Sequence, residues 1–246
     1  MVTAAPQDQW RLLDVQAHDT RLTQIAHRRR TLPEHAEVEQ LRERLARTGD
    51  DLVAARTAVH DRTRELAKAE ADVEQVRARA TRNQARLDAG QGSVKDLQAL
   101  QHELGSLAER QSVLEDAELE VMERLEAAQE GLSGVEAARE RLADEVAAAE
   151  AKLAALLAGL DDEATAETRA RTESSAGLPA DLLALYEKIR AQTGVGAARL
   201  YQRRCEGCRL ELNTTDLNRI RAAEPENVLR CEECGRILVR TADSGL

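Results

Sequence analysis

Apolar side chains recur along this chain in alternating steps of three and four. From Val38 the walk runs through Leu41, Leu45, Thr48, Leu52, Ala55, Val59, Arg62, Leu66, Ala69, Val73, Val76, Ala80, Asn83 and Leu87, and twelve of these fifteen positions are apolar. Steps averaging about 3.5 residues keep one stripe facing a partner helix, and this stripe is longer than the three or four repeats that argue for a coiled coil. It stops at Ala89-Gly90-Gln91-Gly92-Ser93, a glycine-rich break suited to a turn. A second stripe runs from Leu97 to Leu160, through Gln111, Glu118, Arg139 and Leu156, with sixteen of nineteen positions apolar. Two long stripes joined by about five residues predict antiparallel neighbours, a helical hairpin with its turn near 89–93.

The flanks extend this plan. Leu12, Val15, Leu22 and Ala26 keep helical spacing before Pro33, which marks a kink or the first turn of a new helix. Counted outward from Gln91, the Trp10 end mirrors Thr172, so the polar stretch 161–172 is expected to pair with the N-terminal helix. Ser174 to Pro179 reads as a boundary. It divides a hairpin domain, residues 1–176, from a C-terminal domain, 177–246. The second domain opens with a short amphipathic helix carrying Leu182, Leu185, Tyr186 and Ile189, and Ala197 to Arg203 reads as a strand. The fold class is mainly α: a long antiparallel coiled-coil hairpin with a small C-terminal ribbon of short β-strands.

Composition removes the main competitor. Among 246 residues there are two Tyr, one Trp and no Phe, too few aromatics for the core of a compact enzyme of this length. Lys plus Arg number 35 against 45 Asp plus Glu, a net charge of −10. The acidity lies in the helices: residues 1–178 hold 24 basic and 35 acidic groups, whereas 179–246 hold 11 and 10. Met1 to Trp10 has neither a basic start nor an apolar run, and the apolar stretch Leu153–Leu160 falls far short of the roughly 20 residues a membrane span needs. A soluble, cytoplasmic protein is expected. Gly90-x-Gly92 lacks the Lys-Ser/Thr of a phosphate loop, and no nucleophile and base can be picked out, so catalysis is not expected. The polar seam positions are read as register-fixing residues, and Arg62 and Glu118, 29 and 27 residues from Gln91, are expected to approach each other.

All four cysteines lie in Cys205-Glu206-Gly207-Cys208 and Cys231-Glu232-Glu233-Cys234-Gly235. Each CxxC turn puts two thiolates on one side of a tight loop, and two such loops close a tetrahedron around one ion. Sulfur donors favour zinc or iron, and clustered cysteines in a reducing compartment argue against disulfides. One structural zinc is the first reading, with iron or a redox dithiol as the others. Four filled positions leave no open site for water, which disfavours catalytic zinc. Gly207 and Gly235 suit the turns by tolerating positive φ and close backbone approach.

These cysteines, with Leu210, Gly235-Arg236-Ile237-Leu238, the preceding Leu185-Tyr186-Glu187-Lys188-Ile189 and the opening Leu12-Leu13-Asp14-Val15-Gln16 followed by Asp19 and Leu22, carry a resemblance. The chain resembles the bacterial four-cysteine zinc-ribbon family that bears a long N-terminal helical hairpin, and its Arg and Ala content suggests an actinobacterial, mycobacterial member. The resemblance implies zinc on Cys205, Cys208, Cys231 and Cys234, and a nucleic-acid-binding or protein-binding role without catalysis. A relative in flagellated bacteria is a chaperone-like regulator of flagellar biogenesis; only the coiled-coil and ribbon plan carries over to this chain.

A nucleic-acid contact, DNA or RNA, would need cationic groups on the ribbon. Nine Arg lie between 199 and 240 against seven acidic residues, and a zinc tetrathiolate at −2 would cancel that excess. The candidates are Tyr201, Arg203, Arg204, Arg209, Arg230 and Arg236, with Tyr201 able to stack a base. The alternative is a protein-interaction adaptor or chaperone-like regulator that docks partners on the coiled coil, the zinc being purely structural; pairing of two hairpins into a homodimer is a further option. Arg28, Arg29 and Arg30 form a second basic spot, read first as an exposed helix face or as pairing with acids on the opposing helix, with contact to phosphate or an acidic partner as the alternative.

Overall fold

The computed structural model describes residues 2–246. Helix α1 (Pro6–Arg30) is followed by α2 (Glu34–Asp88), α3 (Val94–Ser175) and α4 (Ala180–Thr193). Strands β1 (Ala197–Tyr201) and β2 (Arg204–Cys205), helix α5 (Thr214–Ala222), and strands β3 (Leu229–Arg230) and β4 (Ile237–Val239) complete the chain with a 3-10 turn at Ala242–Ser244. It divides into two compact units, residues 36–151 and the remainder.

The 36–151 unit is the hairpin of α2 and α3. Val38, Val73, Asn83, Leu100, Val121, Leu142, Val146 and Ala149 are buried, and the other seam positions of this unit are half-buried. At the turn, Asp96 accepts hydrogen bonds from the Ser93 amide (2.9 Å) and hydroxyl (2.7 Å), which cap α3 and hold the Asp96 carboxyl below its ordinary pKa. The polar seam residues Thr48 and Arg139 do meet, the guanidinium donating to the Thr48 hydroxyl at 3.2 Å. Arg62 and Glu118 do not. Arg62 pairs with Glu65 on its own helix at 2.6 Å, and Glu118 lies near Arg77. The reason is register: Arg79–Glu103 is symmetric about Gln91, but Arg42–Glu150, Arg56–Glu136 and Arg77–Glu115 are symmetric about Asp96, so the residues facing Arg62 lie beyond Glu118 on α3. Further along α3 the stripe also shifts, since Leu156 is exposed and Leu157 takes the half-buried position.

In the other unit, α1 pairs with the 161–172 stretch. His18 meets Glu167 at 2.6 Å, Arg28 meets Glu163 at 3.1 Å and Arg29 meets Asp161 at 2.8 Å, so acids of α3 answer two of the three arginines in the basic run. The sheet runs in the order β2-β1-β4-β3, with β1 parallel to β4 and the outer pairs antiparallel. Alternation along β1 and β4 gives the sheet two cores. Ala197, Ile237 and Val239 pack with Leu12 and Val15 of α1 and Leu182, Tyr186 and Ile189 of α4. Ala198, Leu200 and Leu238 pack on the other face with Cys205, Cys231 and with Leu217 and Ile220 of α5. The chain start joins this assembly: Ala4 donates to the Glu226 carbonyl at 2.8 Å, Val228 to that of Val2 at 3.2 Å, and the Trp10 indole to that of Arg240 at 2.7 Å.

A buried carboxylate ties three helices together. Asp19, 2% exposed, accepts from Arg171 at 2.7 Å and Tyr186 at 2.6 Å and forms an ion pair with Arg190 at 3.1 Å. Burial, reinforced by Asp19, pushes the Tyr186 hydroxyl pKa up, so Tyr186 acts as a neutral donor. Glu187 pairs with both arginines and completes the cluster. Removing one partner strands buried charge, so Asp19→Ala should destabilise the full chain by about 3–5 kcal/mol. Urea unfolding read by circular dichroism checks this; a change within about 0.5 kcal/mol, the range of an ordinary surface substitution, would show the cluster to be dispensable.

Candidate metal centre and its surroundings

Two knuckles with the same backbone plan carry the cysteines. In the first, the Arg209 amide donates to the Cys205 carbonyl at 2.7 Å and the Cys205 amide to the Leu210 carbonyl at 3.0 Å. In the second, Gly235 donates to Cys231 at 2.8 Å and Cys231 to Arg236 at 3.0 Å. Amide groups of Gly207 and Cys208 point at the Cys205 sulfur, and those of Glu233 and Cys234 at the Cys231 sulfur, the arrangement that stabilises thiolates. The four sulfurs lie within 4.8 Å of one another, with Cys205–Cys234 and Cys208–Cys231 both at 3.9 Å. A tetrahedral ion bonded at about 2.3 Å sets sulfur–sulfur edges of about 3.8 Å, so the donor set fits one structural zinc ion.

Burial supplies the reason for a metal. Desolvation pushes the Cys205 thiol well up from its ordinary pKa and raises that of Cys231. At Cys234 desolvation is outweighed by the Arg236 amide and the neighbouring thiols, and its pKa falls. Four clustered thiolates would repel one another without a cation, and metal binding supplies folding energy to a segment too small for a large apolar core.

The glycines divide their roles differently from the sequence expectation. Gly235 has φ +70° as anticipated, but Gly207 does not adopt positive φ. It is small because a Cβ there would lie 2.8 Å from Arg236 Cδ and 2.9 Å from Ala198 Cβ. The left-handed position of the first knuckle falls instead on Arg209, with φ +64°.

The six candidate contact residues separate into two groups. Arg236 donates to the Gly207 carbonyl at 2.8 Å, clamping one knuckle to the other, and Arg230 donates to the Gly235 carbonyl at 2.7 Å. Tyr201, Arg203, Arg204 and Arg209 stay exposed, and the three arginines make no ion pair among the described residues. The Arg199 guanidinium lies 5.1 Å from the Tyr201 ring centroid and also pairs with Asp243. Arg203 follows Gln202 in the β1–β2 turn, both at positive φ, +44° and +67°.

Sequence reasoning passed over one structural contributor. Helix α5 between the knuckles is signalled by Asn213, whose side chain accepts from the Asp216 amide at 2.9 Å, and by Leu217 and Ile220 at helical spacing. Arg240, one of the nine Arg for which solvation or donation to ribbon carbonyls is the competing reading, donates to the carbonyls of Ile220, Ala223, Glu224, Pro225 and Asn227, and burial lowers its pKa. Local periodicity carries no trace of such a contact.

One hydrogen-bonded relay resembles a catalytic triad: Ser174 Oγ lies 3.2 Å from His18 Nε2, and His18 Nδ1 lies 2.6 Å from Glu167. It lacks the rest of the machinery. Ser174 ends α3, where amides are spent on helix bonds, and its carbonyl accepts from Arg11. No helix among the described residues is long and apolar enough to cross a membrane.

A helical hairpin joined to a four-thiolate ribbon is the class this geometry defines. The chain belongs to the family of the CT398-like coiled coil hairpin domain, which matches residues 15–194, and its end matches the C4-type zinc ribbon domain over 204–238. It is 38% identical over 229 residues to the uncharacterized protein Rv2229c of Mycobacterium tuberculosis, covering 93% of this chain and 94% of the relative. A solved structure from Mycobacterium smegmatis is 34% identical with a TM-score of 0.82, covering 98% of this chain and 100% of that one. These relatives make the chain an actinobacterial member. CT398 of Chlamydia trachomatis, 14% identical, shares the fold at a TM-score of 0.62 over 96% of this chain and 98% of its own.

Changing Cys205 and Cys231 together to Ser should abolish binding of one zinc per chain and remove hydrogen-exchange protection from β1, β4 and α5. Metal analysis with exchange mass spectrometry reads both; a ribbon that stays protected without metal would overturn the structural role.

Proposed function

We propose that this protein is a non-enzymatic, cytoplasmic nucleic-acid-binding protein, RNA being the favoured ligand, whose ribbon makes the contact and whose hairpin serves as a spacer or docking arm. One observation carries the reading: the chain spends backbone strain to present cations. At equivalent positions of the two knuckles the second uses Gly235, and the first uses Arg209 in the same left-handed conformation. A non-glycine residue there costs roughly 1–2 kcal/mol. The Gln202-Arg203 turn repeats the pattern, since two consecutive positive-φ positions favour Asn-Gly. Backbone pairing of Arg203 with Leu212 and of Cys205 with Leu210 sets Arg203, Arg204 and Arg209 on one short hairpin beside the exposed Tyr201 ring. A phosphate backbone crossed by a stacking ring is the ligand such a group fits. Arg230 and Arg236 hold the knuckles, so the reading rests on the other four residues. A protein adaptor would not need this strained cationic hairpin.

Arg209→Gly separates function from fold because its two effects have opposite signs. Relief of the left-handed strain should stabilise the ribbon by about 1 kcal/mol, while affinity for single-stranded RNA falls and the slope of log affinity against log salt drops by about 0.7. Fluorescence anisotropy across a salt series, beside thermal unfolding, reads both. Undetectable RNA and DNA binding by the parent chain at low salt would overturn the nucleic-acid reading in favour of the adaptor.

A further inference from the structure

The net charge of the chain is concentrated on one stretch of one helix. Residues 94–151 of α3 hold 15 acidic and 5 basic side chains, a net of −10 that equals the charge of the whole protein. Residues 36–88 of α2 hold 11 of each. The imbalance has a pattern. Opposite the buried seam of α3, steps of four and three pass through Glu109, Val113, Asp116, Glu120, Glu123, Ala127 and Glu130, all exposed. None of these five acids forms an ion pair among the described residues, and Val113 remains 62% exposed. Opposite the seam of α2, the same steps pass through Arg64, Lys68, Ala71, Gln75, Ala78, Arg82 and Ala85. This second stripe has three unpaired cations, no acid, and alanines recurring every seventh residue, which permit close helix approach.

A solvated helix face needs charge of some sign, but it does not need two heptad stripes of opposite sign on opposite edges of the same hairpin. We infer that the outer edge of α2 docks against the outer edge of α3 in a second copy of this chain. Charge complementarity selects that occupant: the acidic edge repels its own like, and the matching cationic stripe is present on every other copy. The two edges differ, so the contact is heterologous. Each dimer leaves one acidic and one basic edge free, and association continues side by side with concentration. Alanines on one edge and Val113 with Ala127 on the other supply the apolar strip, and the flanking charges set the pairing.

Sedimentation velocity of the full chain tests this over a concentration series at about 50 mM and about 1 M salt, where the screening length falls to about 3 Å. The expected result is a weight-average mass that rises past the dimer at low salt and returns to the monomer at high salt. Lys68→Glu with Arg82→Glu makes both edges acidic, and Asp116→Lys with Glu120→Lys and Glu123→Lys makes both basic; each variant should be monomeric with unchanged helicity. Mixing the two variants should restore association, as should placing all five substitutions in one chain. A monomeric parent chain at low salt overturns the inference, and so does a parent that associates equally before and after either reversal, or a mixture that stays monomeric.

Discussion

The parallel pairing of β1 with β4 is the contact from which both cores of the ribbon-bearing unit are built. Three residues of each strand pair, Ala197 with Ile237, Ala198 with Leu238 and Arg199 with Val239, and neither face is left to water. A parallel pair buried on both sides needs covering layers. One layer is α1 and α4, held by Asp19 and its arginines; the other is the thiolate cluster with α5. The metal therefore does more than close a loop. It finishes one side of a sheet whose other side seats the helices, so the ribbon and the base of the hairpin share a folding unit.

The hairpin was legible in the sequence because a repeat of 3.5 residues is a local signal that accumulates over many turns. Register was not. The helices do not diverge symmetrically from the middle of the turn: their ion pairs centre between Gln91 and Asp96, most of them on Asp96, and no single residue in either stripe reports that offset. The exposure of Leu156 in favour of Leu157 has the same origin, a helical phase that drifts against a strict heptad. At the cysteines, spacing alone was sufficient, because a CxxC turn constrains its own geometry. The division of labour between Gly207 and Arg209 was hidden, since it depends on Arg236 and Ala198 arriving from elsewhere in the chain.

Most arginines near the ribbon turn out to be structural. Arg240 satisfies a row of carbonyls left by the end of α5, Arg236 joins the knuckles, Arg219 reaches Glu232, and Arg171 and Arg190 hold Asp19. Guanidinium groups suit this use because five fixed donors can serve several acceptors at once. The same accounting isolates the few that are left over, and it explains why a near-neutral formal charge gave no guide to the ribbon surface.

The clasp between the chain start and the segment before β3 has a consequence for synthesis. Ala4 finds its partner at Glu226, and Leu12 and Val15 find theirs on α4 and β4, so α1 waits for partners made after the whole hairpin. Contacts so distant in sequence form slowly. A ribosome releases α1 with its apolar face bare while the hairpin, whose contacts are local around the turn, is already closing. The unit that holds α1 therefore finishes folding after the hairpin, and α1 is the helix that stays longest exposed to chaperones and proteases.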